Sequence, residues 1–227
     1  LYDSTTKTWK RLLDKPLHGD GRKRNAYATL PRLGPDGRYH MTWMWRETGD
    51  CLTNHDISYA RSDDMLNWET AAGATLTLPI TLKDKGTIVD PAPVKGGLLN
   101  MGNGYGFDSK KRPIVTYTRY DETGNTQAYA TRFEDGEWKI RQVTDWDYRF
   151  NFGGGGSIRA LVTVGSPELR KDGVLALPYK HVKYGNGLLL LDETSLKLVG
   201  TEPSAPKFPE ELSGVTSDFK PQRGSGM

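Results

Sequence analysis

The sequence predicts an all-β protein built from repeated four-stranded antiparallel units. One observation behind this is composition. Among 227 residues there are 26 Gly, 13 Pro, 11 Tyr and 6 Trp, with 36% hydrophobic content. Such a chain suits many short strands joined by turns. The other is a pattern that recurs three times: a polar turn, a β-rich run, a loop, a second β-rich run and a tight polar hairpin.

The first unit opens with the strand-like run "NAYATLPRL". "GPDGRYHMTWMWRE" and "HDISYARSDDMLNWE" follow. In "YHMTWMW" a period of two sets His40, Thr42 and Met44 against Met41, Trp43 and Trp45. The second set is apolar and suits packing between sheets, and the first set continues to Arg46. The second unit runs from "GLLNMGNGYGFD" through "DSKKRPIVTYTRYDE" to "TQAYATRFEDGEWKI". Pro113 starts a strand there, where a missing N–H is tolerated. Val115, Tyr117 and Arg119 then share a face. The third runs from "GSIRALVTVGS" through "RKDGVLALPYKHVKYG" to "NGLLLLDETSLKLVG". "EWKIRQV" and "LKLVG" supply last strands, and residues 70–96 read as a long loop. A repeated unit of this kind marks a β-propeller blade. A β-sandwich is the competing architecture. A closed propeller needs roughly 4–8 blades, so residues 1–227 are expected to be a propeller domain or part of one.

Charge is nearly balanced, with 31 Lys+Arg against 28 Asp+Glu. No basic block argues for nucleic acid. No apolar run of membrane-spanning length is present. The lone Cys51 excludes an intrachain disulfide and reads as a half-buried loop thiol. No cofactor is expected, and oligomeric state is not legible.

Four histidines occur, at 18, 40, 55 and 181. His40 lies on a strand and His55 at the mouth of the next, in "TNHDISYA". A hairpin between them is expected to bring both to one cleft, beside Arg46 and Asn54. Together with Cys51 their spacing is too irregular for a zinc site. "SDDMLNWE" is close to an Asp-box turn, in which an aspartate bonds turn amides and a tryptophan packs beneath. Leu66 stands near the position of its glycine. "GGGG" at 153–156 lacks the phosphate-cradle pattern and reads as close backbone approach at a strand entrance. Trp146, Tyr148 and Arg149, with Phe150 and Phe152, crowd the loop before it. They suit sugar stacking and carboxylate recognition, and equally a hydrophobic plug between blades.

Taken together, "HMTWMWRET…TNHDISYARSDD…W", "GFDSKKRPIVTYTRYDE" and "WDYRFNFGGGGS" resemble the BNR-repeat-containing propeller family, which includes ulvan lyases and related polysaccharide lyases. The resemblance covers roughly residues 20 to 200. It implies a secreted or periplasmic protein that cleaves an acidic, uronic-acid-containing polysaccharide by β-elimination. Such chemistry needs a cation to neutralise the uronate carboxylate, a base for the C5 proton and an acid for the leaving oxygen. The resemblance implies His40 and His55 for the histidine roles and Tyr105 for the tyrosine. Arg119 is implied for the carboxylate, its guanidinium free of a saturating salt bridge and facing the same cleft as His55. Two other classes stay open. A propeller glycoside hydrolase would use paired carboxylates, with Asp56 and Asp90 as candidates. A non-catalytic glycan-binding propeller would keep Trp146, Tyr148 and Arg149.

Overall fold

In the computed structural model, residues 2–20, 24–100 and 103–204 are described. Strands β1 (Tyr2–Asp3) and β2 (Thr8–Trp9) form a small hairpin. The first blade holds β3 (Asn25–Ala28), β4 (Arg32–Leu33), β5 (Tyr39–Arg46), β6 (Asn54–Ser62), β7 (Trp68–Glu69), β8 (Thr75–Leu76) and β9 (Ile88–Asp90). Its path is β3-β5-β6-β7-β8, with β4 on β5 and β9 on β6. The second blade is β10 (Gly104–Phe107), β11 (Pro113–Tyr120), β12 (Thr126–Glu134) and β13 (Glu137–Gln142), paired in that order. The third is β14 (Val162–Val164), β15 (Glu168–Leu169), β16 (Val174–His181), β17 (Gly185–Asp192) and β18 (Leu198–Pro203), with β15 paired to β16 off the main path. All the ladders between strands are antiparallel. The helical elements among the described residues are two three-residue 3-10 turns, Cys51–Thr53 and Lys85–Thr87. Among the described residues no helix is long and apolar enough to cross a membrane. The all-β, blade-based expectation is met.

Blades stack face to face, and each interface is one apolar cluster. Met44, Ile57, Tyr59 and Val89 of the first blade pack on Tyr105, Val115, Tyr117 and Tyr129 of the second. Ile114, Ala128 and Ala130 of the second pack on Val162, Leu175, Leu177 and Leu189 of the third. The opposite face of β5 buries Met41, Trp43 and Trp45 against Ile80, Leu17 and Leu82. Both faces of β5 are therefore covered, and His40 and Thr42 are as inaccessible as the tryptophans. Period two located the strand and its two faces. It did not reveal that the polar face meets the next blade.

Residues 70–96 correct the long-loop reading. They return β8 and β9 to the sheet, with β9 pairing at Ile57 and Ser58.

The Asp-box turn behaves as its residues require. Asp64 Oδ1 accepts the N–H groups of Leu66 at 2.7 Å and Asn67 at 2.8 Å. Trp68 is buried beneath, its indole N–H on the Met65 carbonyl at 3.1 Å. The left-handed residue is Met65, with φ 63°, rather than Leu66. Hydrogen bonds, first that from the Asn67 N–H, hold the Asp64 carboxyl down to about 2. A depressed carboxyl stabilises the fold above its unfolded pKa, and that stability is lost as pH falls through the folded value. Asp64→Ala is therefore expected to lower the melting temperature at neutral pH, with the difference shrinking as pH falls from about 4 towards 2. Paired thermal melts across that window check it.

Candidate functional site

The second and third strands of each blade are joined at one end by a hairpin: residues 46–54, 120–126 and 181–185. The segment 144–158 runs across all three. Gly154 N–H donates to Asp50 Oδ1 at 2.7 Å, and Cys51 N–H donates to the Gly154 carbonyl at 2.9 Å. Thr126 N–H donates to the Tyr148 carbonyl at 2.7 Å, and Lys183 Nζ to the Asp147 carbonyl at 2.8 Å. A Cβ at Gly153 would stand 3.1 Å from Leu52, and one at Gly155 3.3 Å from the Gly49 carbonyl. The glycine run thus permits close approach, but to the first hairpin and not to a strand entrance.

His55 sits on this face beside a β-bulge. Met44 pairs with Ile57 and Trp45 with His55, so Asp56 is the extra residue of β6. It takes a left-handed φ of 48°, and its N–H reaches the Ala92 carbonyl at 3.0 Å. Its carboxylate lies 3.0 Å from His55 Nδ1. On the other side His55 Nε2 meets Glu47 Oε1 at 2.8 Å, and Arg24 Nε shares that oxygen at 2.7 Å. Burial pushes the His55 pKa down, but hydrogen bonds and charge from Asp56 and Glu47 outweigh it, and the net direction is up. Glu47 is itself lowered, first by Arg24.

Arg119, the last residue but one of β11, lies on the same face. Its Nε lies 2.7 Å from Asp90 Oδ2, its Nη1 donates to the Tyr120 carbonyl at 3.0 Å, and its guanidinium stacks 4.1 Å from the Tyr129 ring centroid. Asp90 Oδ2 also takes the Tyr117 hydroxyl. One carboxylate holds Arg119, so the guanidinium is not saturated. Burial works against its charge, yet Asp90 raises its pKa further. Arg119 opens on a depression of about 470 Å³ with Tyr129, Gln142 and Asp145, and on another of about 450 Å³ with Tyr120, Lys95 and Arg149. Asp121 and Glu122 line both, so this groove is mixed in charge. The Asp121 carboxylate is occupied by Thr123, Asn125 and Gln127. His55 lines neither depression, which corrects the expectation that Arg119 and His55 face the same cleft. The two sites connect through β9: Asp90, which holds Arg119, pairs with Ile57, two residues past His55.

Several sequence expectations are corrected. His40 does not approach His55. His40 pairs with Arg61, and His55 with Trp45 five residues on, roughly 17 Å along the strand. His40 is fully buried, with Nδ1 2.6 Å from the Tyr59 hydroxyl and Nε2 2.9 Å from Asp36. Tyr105 is buried too. It donates to the His40 carbonyl at 2.7 Å and lies under the Arg32 guanidinium, so it lines no groove. Asn54 is buried, its amide N–H₂ on the Leu98 carbonyl and Asn100. Trp146 is a plug rather than a platform, packed on His181, Tyr179 and Tyr184. Tyr148 is half-buried against His181. Asp56 and Asp90 are both engaged, with His55 and with Arg119 and Tyr117, so neither is a free carboxylate for hydrolysis.

Arg149 is exposed, as the sequence reading requires. It stacks 3.8 Å from the Tyr120 ring centroid and bonds the Gly124 carbonyl at 2.6 Å. Arg46 lies under the first hairpin and lines a cavity. Sequence reasoning missed Glu47, Arg24 and the hold of Asp90 on Arg119. For Glu47 a signal existed, an acid directly after Arg46 where β5 ends. Among the described residues no group of three or more His, Cys, Asp or Glu forms a metal-ligand set.

A family model described as BNR repeat-containing family member matches residues 1–146. No curated protein matches the sequence. Among solved structures, the chain is similar to a fucose lectin from Kordia zhangzhouensis in complex with methyl-fucoside. Identity there is 15% over 77% of this chain and 99% of that one, with a TM-score of 0.36. It is also similar to the endo-arabinase of Bacteroides thetaiotaomicron VPI-5482, with 15% identity over 74% of this chain and 58% of that one, and a TM-score of 0.39.

Proposed function

The chain belongs to the BNR repeat-containing family, and from that premise we propose that it acts on an acidic polysaccharide, cleaving it at a uronate by β-elimination. The observation that carries this reading is an arginine held by only one carboxylate and open on a groove, with an imidazole held between two carboxylates on the same face and linked to it through the pairing of Asp90 with Ile57. Arg119 meets the uronate carboxylate through its free guanidinium edge. This makes the C5 proton acidic enough to remove. Neutral His55 takes that proton and hands it to the glycosidic oxygen. The C5–H and C4–O bonds break, the C4–C5 double bond forms, and the leaving oxygen gains the proton. With Tyr105 and His40 in the interior, one group serves as base and then acid. Asp56 orients the ring through Nδ1, and Nε2 turns from Glu47 to the substrate. Arg149 and Tyr120 extend the groove. A secreted or periplasmic location suits such a substrate.

Incubation with a panel of uronic-acid polysaccharides tests the reading, followed by the ultraviolet absorbance of the unsaturated product. Arg119→Ala is expected to abolish elimination; because it also leaves the buried Asp90 carboxylate without its cation, rates are compared at a temperature where thermal melts show the variant folded. Arg119→Lys is expected to be nearly as poor, because a point charge does not replace the bidentate fork. Undiminished activity in both variants would refute the assignment. One observation favours a second reading, a non-catalytic glycan-binding protein: both ring nitrogens of His55 are already occupied. Binding of acidic glycans with no ultraviolet signal would establish it.

A further inference from the structure

Among the described residues Arg46 is the one site-face arginine that is itself buried, at 8% exposure. Buried charges are normally paired with an opposite charge. Among the described residues no carboxylate lies within salt-bridge distance of Arg46. Its contacts are neutral: Nε donates to the Thr48 carbonyl at 3.0 Å, Nη2 to the Gly49 carbonyl, and Nη1 to the Tyr27 hydroxyl at 3.3 Å. Five N–H donors make three bonds, so two are left over.

Both carboxylates of the same hairpin are turned to other work: Glu47 holds His55 and Arg24, and Asp50, whose charge interacts with Arg46 beyond contact distance, caps backbone N–H groups. Asp50 Oδ1 accepts the Leu52 N–H at 2.9 Å and the Gly154 N–H at 2.7 Å. The Arg46 guanidinium lines a cavity of about 500 Å³, a volume typical of small-ligand sites. Tyr27, Asn100 and Ser157 bring neutral polar groups to it, Leu99 and Ile158 bring apolar surface, and no acid among the described residues lines it. A second orphan stands beside it. Asn54, the register partner of Arg46, is 1% exposed, and among the described residues its Oδ1 finds no partner. The cavity shares no lining residue with the depressions at Arg119.

We propose that the Arg46 cavity is a second anion subsite, which takes an oxyanion substituent of the polysaccharide, a carboxylate or a sulfate ester, apart from the uronate that Arg119 meets. The inference rests on the acidic-polysaccharide reading for its ligand, but not on elimination. Carboxylate and sulfate both match the guanidinium fork. The neutral hydroxyl and amide groups around it suit sugar hydroxyls, and the apolar wall suits a ring face.

The test is calorimetric titration of the full chain with a sulfated uronic-acid oligosaccharide, its desulfated form and its carboxyl-reduced form. Arg46→Gln is expected to weaken binding of the parent oligosaccharide by about 10- to 100-fold. The oligosaccharide form that lacks the anion read by Arg46 is expected to bind wild type and variant alike, which identifies carboxylate or sulfate as the group. Because Arg46 also ties down its hairpin, a second variant guards against misfolding. Ser157 is an exposed loop residue of the same cavity. Ser157→Asp places a carboxylate where the ligand anion would sit, and is expected to weaken binding by a similar factor. Loss of binding in Ser157→Asp without any effect of Arg119→Ala would support the subsite and sink the elimination site. Loss in Arg119→Ala with wild-type binding in Ser157→Asp would overturn the subsite alone. Failure of the wild type to bind any acidic form overturns both.

Discussion

His55→Gln is expected to lower the rate of elimination by about 10²- to 10⁴-fold, the usual contribution of a positioned acid or base. Glutamine keeps a polar side chain between Asp56 and Glu47 but exchanges no proton near neutrality. Stability needs separate control, because the imidazole is also a structural cation. Its folded pKa is raised above the unfolded value by Asp56 and Glu47, net of the opposing burial. That stabilisation is complete below about pH 6.5 and fades as pH rises through the folded value. The variant is therefore expected to melt earlier than wild type in mild acid and close to it in alkali, so rates are best compared on the alkaline side. The same shift shapes activity. His55 must be neutral to accept the C5 proton, so the rate is expected to rise with pH through the raised pKa. Asp56→Asn removes one of the charges that raise it, while asparagine still tolerates the left-handed backbone at this position. The acidic limb of the pH profile should then move to lower pH. A limb that stays in place in Asp56→Asn, or full activity in His55→Gln, would rule out His55 as the base.

What could be read from the sequence was local. The Asp-box turn needs only residues 62–68, whose own side chains make its hydrogen bonds, so its structural role was plain. Strand alternation likewise put Val115, Tyr117 and Arg119 on one face, and the ring of Tyr129 stacks on Tyr117 and under Arg119 there. Contacts between blades were not legible. Alternation gave His40 and Arg46 the same face but said nothing of what covers it. At one end of β5 that cover is Tyr105 and Phe107 of the next blade. A cavity remains at the other end. "IVD" is too short to announce a strand, and its place on β6 depends on the bulge at Asp56. The plug role of Trp146 depends on His181, which comes 35 residues later and carries no pattern linking it to that loop.

Asp90→Ala is expected to be the most destabilising of these substitutions, by about 3–5 kcal/mol, the range for removing one partner of a buried ion pair. The Asp90 side chain is 4% exposed, while that of Arg119 is 26% exposed. Water partly screens the orphaned cation, which favours the lower half of that range. The Tyr117 hydroxyl adds to the loss. It is fully buried and has Asp90 as its acceptor, and an unsatisfied buried hydroxyl costs about 1–3 kcal/mol. Asp90→Asn keeps an acceptor for Tyr117 and loses only the charge, so it should fall between alanine and wild type. In the Arg119→Ala background the loss from Asp90→Ala should shrink, because the orphaned cation is gone, and the difference measures the coupling of the pair. Denaturant unfolding of wild type and the four variants checks this, with a lower midpoint and an unchanged slope as the expected signature. Asp90→Ala within about 0.5 kcal/mol of wild type, the scatter of ordinary surface changes, would show that Asp90 is not what holds Arg119 in place. The orientation of Arg119 towards a uronate would then need another cause.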